Sequence, residues 1–310
     1  YNKVLAEGGL VCGCVWDDNV EAVHILTDKI EDMQKMQSSK YVQSNMQECY
    51  RSIRKALKEG CKVAFCGTPC QTAGLNTFLG KTDRSNLISI SLICHGVPSP
   101  GVWSRWKSII EKIYNGKLVD VNMRDKSYKG YGTSYVRYTF DCPPACGGSI
   151  VDPHTSSKLR NVGMPTYLSD PYIFLFTDDL YLRHSCNHCQ YKADQNGADI
   201  IVGDYYQSIP EAGNDGCSCM FAMNEKGERF ISELDGHVIP TDYKTIGSVN
   251  SMLWSSVTEH SRRDEFFQRY MHEEEISEKL FTDFLPFRFH IKKLLNELGV
   301  FNIVRSILKK

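Results

Sequence analysis

Two strand, cysteine loop and helix units in the first part of the chain constrain its fold more than any other feature. The apolar run that ends at Cys66 predicts a strand, and Pro69 to Leu79 predicts the helix that follows, with proline in the first turn. The same pattern recurs from Leu87 to Ile113. It predicts an α/β fold, with a mixed sheet core of strand-loop-helix units, an irregular insertion and a helical C-terminal tail.

The rest of the chain suggests two regions. Residues 1–235 are expected to form one catalytic domain, interrupted by an irregular stretch rich in proline, glycine and serine at about 142–165. Residues 236–310 are expected to form a helical C-terminal extension. The segment Glu7-Gly8-Gly9, close to the start of the sequence, reads as the middle of a domain. We therefore expect that an N-terminal part is missing.

Composition narrows the functional classes. A chain of 310 residues with 42% hydrophobic content can bury a large core, and its net charge of -1 gives no electrostatic reason to expect nucleic acid as a partner. No stretch reaches the roughly 18 apolar residues of a membrane span, so we expect a cytoplasmic protein without membrane contact. The 13 cysteines are an odd number and cannot all pair, so a disulfide scaffold is a poor explanation for them.

The Cys186-x-x-Cys189 pair can place two thiolates on one iron-sulfur cluster or one zinc ion. Two further ligands are needed, and the loop cysteines after the two predicted strands are the best-placed donors. We therefore predict a metal site formed by Cys70, Cys94, Cys186 and Cys189. The alternative for Cys66 and Cys94 is that they are small buried hydrophobic side chains, which we favour for Cys66.

The loop after the first strand has features of a cofactor site. Gly67 lets a ligand approach the backbone, and Thr68, Pro69 and Gln71 start a helix whose amides can hold a flavin pyrophosphate or touch the ring edge. A simple strand-helix turn capped by threonine is equally compatible. The polar segment Ser38 to Ser44 has a composition able to hold phosphates or stack on a flat ring, and by itself it would also pass as an ordinary loop. We predict cofactor contacts at Ser39, Lys40, Tyr41, Gln43, Ser44 and Gly96.

His95, beside Cys94, is the predicted catalytic residue. It can donate a proton to a reduced flavin, orient a ligand or cap the strand end, and the sequence leaves these roles open. Cys142 and Cys146 can bind zinc, form a labile disulfide or be incidental thiols of an exposed loop.

Together these motifs resemble the C-terminal domain of the coenzyme F-420 hydrogenase/dehydrogenase beta subunit family. The resemblance rests on the Ser39 to Ser44 segment, the Phe65 to Gln71 and Ile93 to Ser99 loops, and Cys186-x-x-Cys189 followed by Asp199 to Asp204. It implies FAD and a 4Fe-4S cluster, with Cys186 and Cys189 as cluster ligands and Lys40 near the flavin. Relatives commonly carry an N-terminal ferredoxin-like module, which we expect to be the missing part.

The resemblance leads to a functional hypothesis: electrons pass between a 4Fe-4S cluster and FAD, and a hydride passes between FAD and a deazaflavin like coenzyme F-420 or another small organic acceptor. A ferredoxin-like module or a redox partner protein would exchange electrons with the cluster. Two alternatives are a zinc-stabilised structural or binding domain without redox activity, and an accessory protein that has kept the fold and lost the flavin.

Overall fold

The computed structural model describes residues 1–126, 135–141, 150–151, 158–165, 170–207, 209, 216–236, 238–273 and 276–297. Cys142 and Cys146, most of the expected insertion and residues 298–310 lie outside this part. The strands are β1 Leu10–Trp16, β2 Ala22–Thr27, β3 Val63–Gly67, β4 Leu87–Leu92, β5 Lys117–Asp125, β6 Tyr135–Asp141, β7 Ile150–Val151, β8 Lys158–Pro165, β9 Ile200–Tyr205 and β10 Cys217–Ala222.

The helices of the first half are α1 Asn2–Ala6, α2 Ile30–Lys35, α3 Cys49–Lys58, α4 Pro69–Leu79 and α5 Pro100–Tyr114. The later helices are α6 Pro171–Thr177, α7 His184–Asn187, α8 Glu225–Ser232, α9 Tyr243–Val249, α10 Arg263–His272, α11 Lys279–Thr282 and α12 Phe287–Glu297, with a 3-10 turn at Ser251–Leu253. Within the described part of the chain, no helix combines the length and the apolar character needed to cross a bilayer.

The main sheet has six strands in the order β10-β9-β4-β3-β1-β2. The four central strands run parallel, while β2 and β10 pair antiparallel at the two edges. Val63, Ala64 and Phe65 of β3 are all buried, as expected for a central parallel strand covered on both faces. The mixed α/β sheet predicted from the sequence is confirmed, and strands β9 and β10 from the later part of the chain also join it.

A second, antiparallel sheet has the order β5-β6-β8-β7. Its strand β8 pairs with β6 over its whole length, from Tyr135↔Pro165 to Asp141↔Leu159. The irregular structure predicted up to Pro165 is wrong for residues 158–165, which form β8. Cross-strand pairing with β6, which lies about twenty residues earlier, stabilises this strand, and a window of local sequence does not contain that information.

One large hydrophobic cluster joins α5, the second sheet and the C-terminal helices. Trp103 and Trp106 of α5 are buried in it with Tyr138 of β6 and with Phe266 and Phe281 from the C-terminal region. The rings of Trp106 and Phe281 lie 5.0 Å apart, edge to face. The helical tail expected from the sequence is confirmed as far as Glu297, and it packs on the same core as the rest of the molecule.

Candidate functional site

A cleft of about 740 Å³ lies where the central parallel strands end. Cys66 and Gly67 from the end of β3, Leu92 from the end of β4 and Asp204 from β9 all line it. Ligands of α/β proteins bind outside the carboxyl ends of parallel strands, and this volume is within the roughly 300–1,000 Å³ of known ligand pockets. The cleft is therefore the candidate active site.

Most of the residues singled out from the sequence line this cleft. They are Ser39, Lys40, Tyr41, Gln43, Ser44, Gly67, Thr68, Cys70, Gln71, Cys94, His95, Gly96 and Cys186. Pro69 and Cys189 are not among the lining residues. Pro69 is buried in the first turn of α4, where it helps to start the helix.

The turn from β3 into α4 is stabilised by its own side chains. Thr68 and Gln71 form a capping box, in which the Thr68 amide donates to Gln71 Oε1 over 2.9 Å. A Cβ atom on Gly67 would lie 2.8 Å from the ring of Phe65, so this position requires glycine. The helix cap predicted as one role of this loop is therefore present. A flavin contact, the other predicted role, would be possible because Gly67, Thr68 and Gln71 also line the cleft.

A chain of buried hydrogen bonds lies behind this turn. Gln71 Nε2 donates to Ser44 Oγ over 2.8 Å, and Ser44 Oγ lies 2.9 Å from His24 Nδ1. His24 Nε2 lies 3.1 Å from the carbonyl oxygen of Cys66, which can only accept. Nε2 therefore carries the proton, and Ser44 donates to Nδ1. Burial lowers the pKa of His24 to about 4, so the ring is neutral at physiological pH.

The Ser39 to Ser44 segment borders the cleft on another side. Lys40 Nζ donates to the carbonyl oxygens of Lys35 and Gln37, at 3.1 and 3.0 Å, and so satisfies acceptors at and beyond the end of α2. Burial lowers the pKa of Lys40. The Tyr41 ring stacks on Phe176 with 4.7 Å between centroids. This segment thus supplies one cation and one aromatic ring to the cleft, and the ring forms a stacked pair with Phe176 of α6.

His95 is held by an acidic partner. Its Nε2 lies 2.6 Å from Asp179 Oδ1, and its ring packs edge to face on Phe176. Asp179 has a φ of +66°, a backbone conformation that aspartate tolerates better than most residues. The carboxylate accepts the Nε2 hydrogen bond and so fixes the orientation and tautomer of the imidazole. The other ring nitrogen, Nδ1, is then the one that can contact a ligand.

Gly96, directly after His95, has a φ of +147°, and a Cβ atom there would lie 2.9 Å from Leu182 and 3.3 Å from Cys186. Glycine at this position allows the histidine loop to approach the Cys186 segment closely.

The four predicted metal ligands occupy one region. Cys70, Cys94 and Cys186 line the cleft, and Cys189 lies one turn further along, with its amide donating to Ser256 Oγ over 3.0 Å. Burial raises the pKa of Cys94 to about 12 and also raises that of Cys186. Without a bound cation, both thiols therefore stay protonated at neutral pH.

The arrangement of these sulfurs is wide. Among the described residues, no three of the cysteines bring their sulfur atoms within 4.8 Å of one another. A tetrahedral zinc site with Zn–S bonds of about 2.3 Å needs sulfurs roughly 3.8 Å apart. Among the described residues, these cysteines therefore do not form a preassembled tetrahedral zinc site.

Several cleft residues escaped the sequence analysis. His24, Cys14, Phe176, Asn250 and the ion pair between Arg124 and Asp204 all line the cleft. Only Asp204 had a signal, since it ends the Asp199 to Asp204 motif. The others belong to no recognisable sequence motif, and the fold alone brings them to the site. Asp199 itself is structural, because its carboxylate accepts hydrogen bonds from the Ser89 amide and hydroxyl, both at 2.8 Å.

One protein family matches more than half of this chain. The model of that family, which describes the C terminus of the coenzyme F420 hydrogenase/dehydrogenase beta subunit, matches residues 60–242. No curated protein matches the chain. A solved structure of the F420-reducing [NiFe] hydrogenase complex from Methanosarcina barkeri, in a xenon-derivatised form, is 15% identical over 87% of this chain and 84% of that chain, with a TM-score of 0.45.

Proposed function

The chain belongs to the family defined by the C terminus of the coenzyme F420 hydrogenase/dehydrogenase beta subunit, and on that premise we propose that it is an iron-sulfur flavoprotein oxidoreductase. It binds FAD and a 4Fe-4S cluster and transfers a hydride between FAD and a deazaflavin or another small organic acceptor. When bound, these two groups allow single electrons to be collected and delivered as a hydride.

The observation that carries this proposal is the meeting of both motif sets in one cleft. The cysteine loops and the Ser39 to Ser44 segment lie far apart in sequence, and both line the same cavity at the strand ends. A purely structural metal site would need the cysteines together but would give no reason for a large open cleft beside them.

We assign roles to the residues by position. Cys70, Cys94, Cys186 and Cys189 hold the cluster. Lys40 supplies positive charge for a phosphate, and the stacked rings of Tyr41 and Phe176 supply a flat surface against which a planar ring system packs. Asp179 orients His95, whose Nδ1 would donate a proton to the reacting ring or accept one from it.

Electron exchange with the cluster requires a partner. A ferredoxin-like module or a separate redox protein fits this role, because Cys186-x-x-Cys189 is the only pair of that spacing in the sequence. A cytoplasmic location stays a prediction.

The proposal is tested by the visible spectrum of anaerobically purified protein before and after dithionite, with iron, sulfide, zinc and acid-released FAD assayed on the same sample. Flavin bands on a broad iron-sulfur absorption that bleaches on reduction are expected. Cys186→Ser should lose the iron, while the matched variant Cys217→Ser, on the edge strand β10, should retain it. A colourless protein that contains zinc would contradict the proposal.

A further inference from the structure

Among the residues that the structure describes, Lys192 is a buried cation with no carboxylate partner. Only 8% of the residue is exposed. In the part of the chain that the structure describes, its ammonium donates to two main-chain carbonyls, those of Cys94 and of Met252, the latter at 3.2 Å. No carboxylate of the described residues forms an ion pair with it. Burying a charge away from water is costly unless an opposite charge compensates for it.

The position of this lysine indicates what compensates for its charge. Lys192 follows Cys189 by three residues and binds the carbonyl of Cys94, so it contacts two of the segments that carry predicted cluster ligands. A cluster held by four thiolates is an anion, and its charge becomes more negative by one unit on one-electron reduction.

We propose that Lys192 is a positioning and tuning residue for the metal site: its fixed positive charge sets the reduction potential of a cluster bound by the neighbouring cysteines. The inference rests on the proposed function. The ammonium lowers the free energy of the reduced, more negative form more than that of the oxidised form, which makes the cluster easier to reduce. Its two carbonyl contacts also connect the Cys94 loop to the 3-10 turn at Ser251–Leu253.

Lys226 offers a matched control. It also donates to main-chain carbonyls, of Arg84 at 3.2 Å and of Leu87 at 2.6 Å, but it has a carboxylate partner in Asp199 at 3.0 Å. Leu87 starts β4, whereas Cys94 follows its other end, so Lys226 lies at the opposite end of the strand from the cleft.

The test compares wild-type protein with Lys192→Met, Lys192→Arg and Lys226→Met, all purified without oxygen. The cluster's midpoint potential is measured by titration with dithionite, followed by electron paramagnetic resonance, and iron and sulfide are assayed in parallel. Lys192→Met should shift the reduction equilibrium at least tenfold toward the oxidised form, which for a one-electron couple is about 59 mV to more negative potential. Lys192→Arg and Lys226→Met should stay close to wild type.

Each result decides the question. Wild-type potentials in Lys192→Met would overturn the inference while leaving the proposed function intact. Wild-type protein without iron and sulfide would overturn both. If Lys192→Met folds without a cluster, iron retained in Lys192→Arg would support the need for positive charge at this position. Loss of iron from both variants would overturn the inference and indicate a steric role for Lys192.

Discussion

The imidazole of His24 shows how burial sets a protonation state at the cleft. It is 2% exposed, and the ring is satisfied only as the neutral Nε2–H tautomer between Ser44 and the Cys66 carbonyl. Its pKa is lowered from 6.5 to about 4, so between these pH values the unfolded chain binds a proton that the folded protein does not. The neutral ring's contribution to stability is therefore complete above pH 6.5 and is lost as the pH falls toward 4.

Replacing this histidine should flatten the pH dependence. His24→Gln keeps a hydrogen-bonding side chain and removes the titration, so the loss of unfolding free energy between pH 6.5 and 4, at most about 3 kcal/mol, should be smaller in the variant than in wild type. The measurement is urea unfolding at several pH values across this range.

The pH profile of wild type has to be compared with that of His24→Gln, because the titration of Asp170 changes the stability in the opposite direction. Burial raises the pKa of that carboxyl to about 6, so the folded protein binds the extra proton and stability falls as pH rises from 3.8 to 6. Parallel pH profiles for wild type and His24→Gln would contradict the assignment.

Gly96→Ala should be strongly destabilising. The φ of +147° disfavours any side chain, and the new methyl group would contact Leu182 and the Cβ of Cys186. The expected loss is about 2–4 kcal/mol of unfolding free energy, with reduced iron content because Cys186 is displaced.

Gly60→Ala is the control for Gly96→Ala. Gly60 has a φ of +80° and open space around its Cβ position, so it should lose only about 1 kcal/mol from backbone strain. Equal losses at the two positions would show that the close approach to Cys186 is unimportant.

The first turn of helix α4 contributes Cys70 and Gln71 to the lining of the cleft. The helix starts at Pro69 directly after β3, and its first turn is held by the Thr68 and Gln71 capping box and by the Gln71 bond to Ser44. One side chain therefore connects the helix start to the segment that carries Lys40 and Tyr41. The geometry of the cleft depends on this connection.

Gln71→Leu should break this connection between α4 and the Ser39 to Ser44 segment. The Thr68 amide loses its acceptor and Ser44 loses a donor, so we expect a loss of about 1–3 kcal/mol and less FAD retained through purification. Gln195→Leu, at an exposed position whose side chain bonds the neighbouring Asp194, should be within about 0.5 kcal/mol of wild type. Unfolding by urea and fluorescence of released flavin measure the two effects. Unchanged FAD content in a destabilised Gln71→Leu protein would remove the loop from the flavin site.

The aromatic cluster around α5 joins the C-terminal region to the preceding part of the molecule. The predicted boundary at 235/236 separates a catalytic domain from an extension, yet Phe266, Phe281 and Phe289 of the extension are buried against residues of the preceding part. We infer that the extension folds together with the rest of the protein, although the boundary itself stays a prediction.

Phe281→Ala should test this cooperativity. The residue is fully buried, so we expect a loss of about 3–5 kcal/mol and one shifted cooperative transition in scanning calorimetry. Phe287→Ala, at a residue that is 78% exposed, should leave the stability within about 0.5 kcal/mol of wild type. Two separated transitions in Phe281→Ala would mean that the extension unfolds alone.

Local patterns determined much of this protein from sequence alone. The strand ending near Cys66 and the helix Pro69–Leu79 depend on apolar runs and proline placement, which lie within a few neighbouring residues. The α/β class follows from repeating such units. Their order also predicted that the cysteine loops lie at strand ends, where the cleft is found.

The tertiary structure alone decided which side chains meet there. His95 and Asp179 are 84 residues apart, Arg124 and Asp204 are 80 apart, and Lys192 reaches Cys94 across 98 residues. Strand β8 likewise exists because β6 pairs with it. Such contacts depend on how strands are ordered in a sheet and how loops close over it, and this information is spread over the whole chain, so no local window of sequence contains it.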